Sequence, residues 1–188
     1  MIYEVIVSTL NSKGLPNWAP MGLIEQQGSY FLHVFKGSHT YENLMSRGEF
    51  VANATDDILA FCLSALGEPV FNCIPALRVS GFVYVEACSW MEFEAVITEE
   101  DDLAGRFSCR LLYSDVRRPY RGYNRAKGSI MELLIAATRY RLYDCAFFDE
   151  LISKARAMVE RTGGEREAQA LAFVEGYLKE VFDEGRSR

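Results

Sequence analysis

A chain of 188 residues that is 49% hydrophobic and 24% charged, with 12 Phe, 10 Tyr and 2 Trp, can fill one sizeable core and leave room for an appendage. A net charge of −6 and a pI near 5.1 argue against the basic face that non-specific nucleic-acid binding needs. No apolar run approaches the roughly 18 to 20 residues of a bilayer span, so neither nucleic acid nor membrane is an expected partner.

From residue 3 to 10, Tyr3, Val5 and Val7 alternate with Glu4 and Ser8 in the period of a strand, with no basic leader or apolar leader core before them. Asn11-Ser12-Lys13-Gly14 supplies turn chemistry, a return strand is predicted over 18–26, and Gln27-Gly28-Ser29 turns the chain into a third over 30–35. Tyr41 to Met45 reads as a short helix capped by Ser38 or Thr40 and stopped by Gly48. A fourth strand over 50–53 precedes a second short helix that starts at Asp56-Asp57 and ends before Gly67 and Pro69. Long β-rich stretches follow over 79–87, 90–97 and 106–117, with Glu99 to Asp102 as a solvated turn. Glu92 and Glu94 are read as solvent-face residues.

From Asn124 the period becomes helical: Ile130, Leu133, Leu134 and Ala137, then Phe148, Leu151, Ile152, Ala155, Met158 and Val159, then Leu171, Val174, Leu178, Val181 and Phe182. Gly163-Gly164 separates the last two groups, and disorder is expected only within 184–188. Strands first and helices last predict an α+β protein, with a barrel over 1–122 and a helical segment over 123–188 that packs on the barrel or on a second subunit. The five cysteines, Cys62, Cys73, Cys88, Cys109 and Cys145, are odd in number and hold no CxxC spacing. They read as reduced core thiols of a cytoplasmic protein, and with only His33 and His39 available no metal site is expected.

Three segments carry chemistry. In Trp18-Ala19-Pro20-Met21-Gly22 a proline and a glycine interrupt a strand, which makes either a bulged edge or free backbone groups offered to a flat ligand. In Phe35-Lys36-Gly37-Ser38-His39-Thr40 a helix start brings amides, hydroxyls and an ammonium together, which suits either a terminal phosphate or ordinary capping. Arg117 to Lys127 holds five basic residues with Tyr120 and Tyr123 interleaved, an anion or ring-stacking site or a solvated loop.

Taken in order, Val7-Ser8-Thr9-Leu10-Asn11, Asn17-Trp18-Ala19-Pro20-Met21-Gly22, Lys36-Gly37-Ser38-His39-Thr40-Tyr41-Glu42-Asn43-Leu44 and Gly48-Glu49-Phe50-Val51-Ala52-Asn53 resemble the opening of the FMN-binding split-barrel proteins. Together with Asn124-Arg125-Ala126-Lys127 and the helix after it, they are most similar to the DUF447 family of that superfamily, whose relatives include flavin reductases and pyridoxamine-phosphate oxidases. The resemblance implies an antiparallel, Greek-key split β-barrel with a C-terminal helical segment, working as a homodimer with FMN at the subunit interface. Ser8, Thr9 and the backbone of Ala19, Pro20, Met21 and Gly22 would border the flavin ring, with Asn53 at the ring or ribityl chain. Lys36, Ser38, His39, Thr40 and Asn43 would surround the phosphate, although arginine is common in flavin reductases where His39 stands. We add Arg117, Arg125 and Lys127 as contacts from the second subunit. The implied activity is a flavin-dependent oxidoreductase fed by NAD(P)H or another hydride donor, with no catalytic side chain assigned. A non-catalytic FMN carrier and a small nucleic-acid-binding barrel are the alternatives.

Overall fold

The computed structural model describes the backbone of residues 1–186 and the side chains of residues 1–183. The expectation of disorder within 184–188 concerns side chains outside that description. By contacts the chain forms two units: Met1–Thr55 with Val70–Tyr120, and Asp56–Pro69 with Arg121–Arg188.

The first unit is a closed antiparallel barrel. Its strands are β1 (Ile2–Leu10), β2 (Pro16–Gln26), β3 (Ser29–Phe35), β4 (Glu49–Ala54), β7 (Ser89–Glu100) and β8 (Ala104–Val116), in the order β1-β2-β3-β8-β7-β4. The turns form where local chemistry requires them. The Asn11 side chain accepts from the amides of Lys13 and Leu15, and Gln27 and Gly28 both take positive φ in the tight turn between β2 and β3. Alternate residues point inward, so Val5, Val7, Leu32, Val34, Phe50, Phe93 and Phe107 fill the barrel, with Phe50 stacked on Phe93 at 4.9 Å. The helix α1 (His39–Arg47) closes one end with Leu44.

A second layer lies on the outer faces of β1, β4 and β7. It is a hairpin of β5 (Cys73–Pro75) and β6 (Phe82–Tyr84), where a single strand over 79–87 was predicted. The predicted strand is confined to Phe82–Tyr84 at its start because the Val79 amide binds the Glu92 carboxylate, as do those of Leu77 and Arg78 before it, and the Ser80 amide binds Glu49. Glu92, read from the sequence as a solvent-face residue, is fully buried under this layer.

The second unit gathers α2 (Ile58–Leu66), α3 (Arg125–Ala137), α4 (Cys145–Thr162) and α5 (Glu165–Arg186), with a 3-10 turn over Tyr140–Leu142. Helix α2 is buried at Ile58, Leu59, Ala60, Phe61 and Cys62, almost all round, so it needs cover on several sides, and α3 and α5 pack against it. Asp57 caps α2 and receives a two-pronged contact from Arg166 of α5. Asn124 caps α3 and donates to the Thr162 carbonyl at the end of α4. Among the described residues, no helix is long and apolar enough to cross a membrane.

Candidate functional site

The barrel's own construction leaves a stretch of β2 open. Strand β2 pairs with β1 along its length but with β3 only through Ile24, Glu25 and Gln26. Among the described residues, no strand pairs with the outer edge of residues 16–23. Pro20 is tolerated because its missing amide belongs to a strand with a free edge. At Gly22 a side-chain carbon would sit 2.8 Å from Ile2 Cγ2, so any larger residue there would have to displace the Ile2 side chain. Ala19, Pro20, Met21 and Gly22 are thus brought together as an unpaired backbone edge, all of them half-buried.

Beside that edge stands the start of α1. The Ser38 hydroxyl donates to the Phe35 carbonyl at 2.7 Å and accepts the Tyr41 amide at 3.2 Å, so it serves as the helix cap. Among the described residues nothing accepts from the His39 or Thr40 amide, which lie above the first turn of the helical ladder. Two hydroxyl-amide pairs border this helix start. Asn43 Nδ2 donates to Thr9 Oγ1 at 2.9 Å, and Asn17 Nδ2 donates to Thr40 Oγ1 at 3.2 Å. Each threonine oxygen accepts one hydrogen bond, which leaves its own proton available to donate. Asn17 was absent from the sequence-derived set. Its register opposite Thr9 at the mouth of the β1–β2 hairpin is the signal that could have found it.

Other expected residues lie elsewhere or have partners of their own. The Ser8 hydroxyl donates to the Phe82 carbonyl at 2.6 Å, and Asn53 accepts the Tyr84 amide at 2.8 Å while donating to the Ile6 carbonyl at 3.1 Å. Both therefore face the β5–β6 hairpin. The Lys36 ammonium lies 2.7 Å from Glu100, which also receives the Tyr41 hydroxyl at 2.8 Å. The hydrogen bond between Lys36 and Glu100 holds the Lys36 pKa above, and the Glu100 pKa below, their ordinary values, with Tyr41 adding to the second. The His39 side chain is 85% exposed, 4.0 Å from Glu42.

Of the basic cluster, Arg117 donates to the Val85 carbonyl and Arg125 is exposed. Lys127 lies within ion-pair range of Asp56 and Glu167 in the helical unit.

Residues 3–118 match the family model described as "Protein of unknown function (DUF447) N-terminal domain", and residues 124–176 match "Protein of unknown function (DUF447)". The chain belongs to the DUF447 family. An uncharacterized protein of Methanocaldococcus jannaschii, MJ1453, is 27% identical over 191 residues, spanning 93% of this chain and 96% of its own. The crystal structure of a DUF447 protein, the FMN-bound MM1853 of Methanosarcina mazei, is 26% identical and superposes with a TM-score of 0.81 over 94% of each chain. Nitrilotriacetate monooxygenase component B from Bacillus cereus is 18% identical, with a TM-score of 0.52 over 66% of this chain and 75% of its own. At that identity it marks the DUF447 barrel as a split-barrel fold and nothing more.

Proposed function

We propose that this chain binds FMN in the groove between the free edge of β2 and the start of α1, and acts as a flavin-dependent oxidoreductase in a homodimer. The observation that carries this reading is the set of donors at the head of α1: two unused amides and two threonine hydroxyls whose oxygens are already satisfied by Asn17 and Asn43. An oxyanion fits there. The helix start contributes partial positive charge, and the first-turn carboxylate, Glu42, is exposed to solvent. The FMN-bound state of MM1853, similar over 94% of both chains, supports the same ligand.

In this reading Thr9, expected from the resemblance at the ring but bonded to Asn43 of α1, joins Thr40 and the amides of His39 and Thr40 in holding the phosphate, and the backbone of Ala19 to Gly22 lies along the ring. Ser38 acts through the helix it caps. Lys36, held by Glu100, contributes charge at a distance. FMN, when bound, supplies hydride chemistry between a reduced donor such as a nicotinamide and an acceptor. The protein's part is to orient the ring against fixed backbone groups and to keep water from its covered face.

The test is a flavin titration of the purified protein, followed by anaerobic NADH or NADPH. Quenching of FMN fluorescence on binding, then bleaching of its visible absorbance by a nicotinamide, is the expected result. Binding without bleaching by either would leave a carrier and defeat the oxidoreductase half. The Thr9→Val and Thr40→Val double variant should lose about 2 kcal/mol or more of FMN affinity, because hydrogen bonds to a charged group are the strong ones. Its affinity for riboflavin, which has no phosphate, should stay put; equal losses for both ligands would place the phosphate elsewhere.

A further inference from the structure

Glu92 sits in the middle of β7 with none of its surface exposed, and among the described residues no cation pairs with it. Its carboxylate instead collects N–H donors. The amide of Leu77 reaches both oxygens at 2.9 and 3.1 Å, Arg78 follows at 2.5 Å and Val79 at 3.3 Å, and the Trp90 indole donates at 3.0 Å. Three successive amides aimed at one point form the kind of concavity that binds anions, here filled by the chain's own side chain. A buried carboxylate is tolerable only with its lone pairs satisfied in this way.

The amides belong to the turn between β5 and β6. Glu49 of β4 adds a second tether by accepting the Ser80 amide at 2.9 Å, and the Ala76 amide closes the turn on the Gly81 carbonyl at 2.9 Å. Two strands of three residues cannot hold a position by themselves. What they hold in turn is the back of the proposed ring site. Phe82 receives the Ser8 hydroxyl and Tyr84 donates to Asn53. The rings of Phe71 and Tyr84 close on Trp18 at 5.3 and 6.4 Å, and Trp18 directly precedes Ala19 on the free edge of β2.

We propose that Glu92 is a positioning residue for the ring end of the flavin site: it fixes the β5–β6 hairpin, which fixes Ser8, Asn53 and Trp18, and through them the backbone edge from Ala19 to Gly22. The proposal rests on the flavin reading given above. It separates two ends of one site. The phosphate end depends on Thr9 and Thr40, whereas the ring end depends on a carboxylate that touches no ligand.

The experiment compares wild type with Glu92→Gln, which keeps the volume but turns an amide group toward backbone donors. With folding verified by far-ultraviolet circular dichroism, E92Q should bind FMN and riboflavin about tenfold or more weakly, by the same factor for both. The bound flavin's visible bands should shift. Both tryptophans of the chain touch this network, so their emission should change too. A folded E92Q with affinities within twofold of wild type and unshifted flavin bands overturns the proposal. If E92Q does not fold, Glu49→Gln takes its place: a riboflavin loss of about threefold, with the flavin bands displaced, supports the role, and an unaltered titration overturns it. In the wild-type protein, hydrogen exchange at Leu77, Arg78 and Val79 should be slowed about a hundredfold or more, and free exchange there also overturns it. A wild-type chain that binds no flavin fails at its own titration, which separates loss of the flavin reading from loss of the role given to Glu92.

Discussion

At the scale of single residues, partners decide roles. Lys36 and Glu100 illustrate this: the sequence offers Lys36 as a free cation beside a helix start, and the structure gives it to a carboxylate at the end of β7. The Glu100 carboxyl is held below its ordinary value of 4.5 by Lys36 first and Tyr41 second. A group with a depressed folded pKa stabilises the fold above its unfolded value, so this contribution is full at neutral pH and fades as pH falls below about 4.5. The Lys36 pKa is raised, so its share is present at neutral pH and lost only as pH climbs past about 10.5. Thermal unfolding from pH 7 down to 3 should show wild type slightly above Glu100→Gln near neutrality, with the two curves converging in acid; a constant gap would contradict the linkage. The effect is small because the pair is partly exposed and screened. Cysteines give a sharper contrast. Burial pushes the Cys62 and Cys109 thiols up to about 12, whereas Cys145 is exposed at the start of α4 rather than in a core. Thiol titration of the native protein should find one fast group, Cys145, and all five only in denaturant. Fast modification of Cys62 or Cys109 would show that those sites open readily.

At the scale of elements, ends are set by short-range chemistry. Helix α1 begins at the Ser38 cap and ends at Gly48, whose φ of 65° is left-handed and whose added side-chain carbon would lie 3.1 Å from the Ala95 carbonyl. Ser38→Ala should cost about 1 kcal/mol in urea unfolding, and Gly48→Ala at least as much. If Gly48→Ala were neutral, the close approach of α1's end to β7 would be wrong. These two signals were legible in the sequence, as were the turns at Asn11 to Gly14 and at Gln27-Gly28, because each involves residues within four positions of one another. The β5–β6 hairpin was not. Its turn is satisfied by a side chain 15 residues away, and the apolar run around Val79 to Val85 looks like a strand whichever partner its amides find.

At the scale of the whole molecule, each unit has its own reason to hold together. The barrel closes on aromatic side chains, and the second unit covers a helix that is apolar on nearly every side. Several large apolar residues of the barrel stay exposed, among them Ile2 at 62%, Phe35 at 59%, Val96 at 67% and Val116 at 71%. They are spread over the barrel, Phe35 paired with Ala104 at one end of β8 and Val116 at the other, so the homodimer stands as a proposal apart from them. Light scattering of the FMN-loaded protein should give twice the 21.3 kDa chain mass; a monomer that still binds FMN with full affinity would remove the subunit interface from the proposal.

The sequence by itself determined the α+β class, the strands of the barrel apart from the one expected over 79–87 and the limits of α1, because alternation and capping are written in neighbouring residues; Thr9, Thr40 and Asn43 were named through the family resemblance, and Thr9 for the ring rather than for their cluster. Only the tertiary structure decided that Asn17 completes that cluster, that α2 packs with the C-terminal helices, that Lys36 belongs to Glu100 and that Glu92 is buried beneath a hairpin. Those outcomes depend on which distant groups meet, and a carboxylate reads the same in the sequence whether it ends in solvent or under three converging amides.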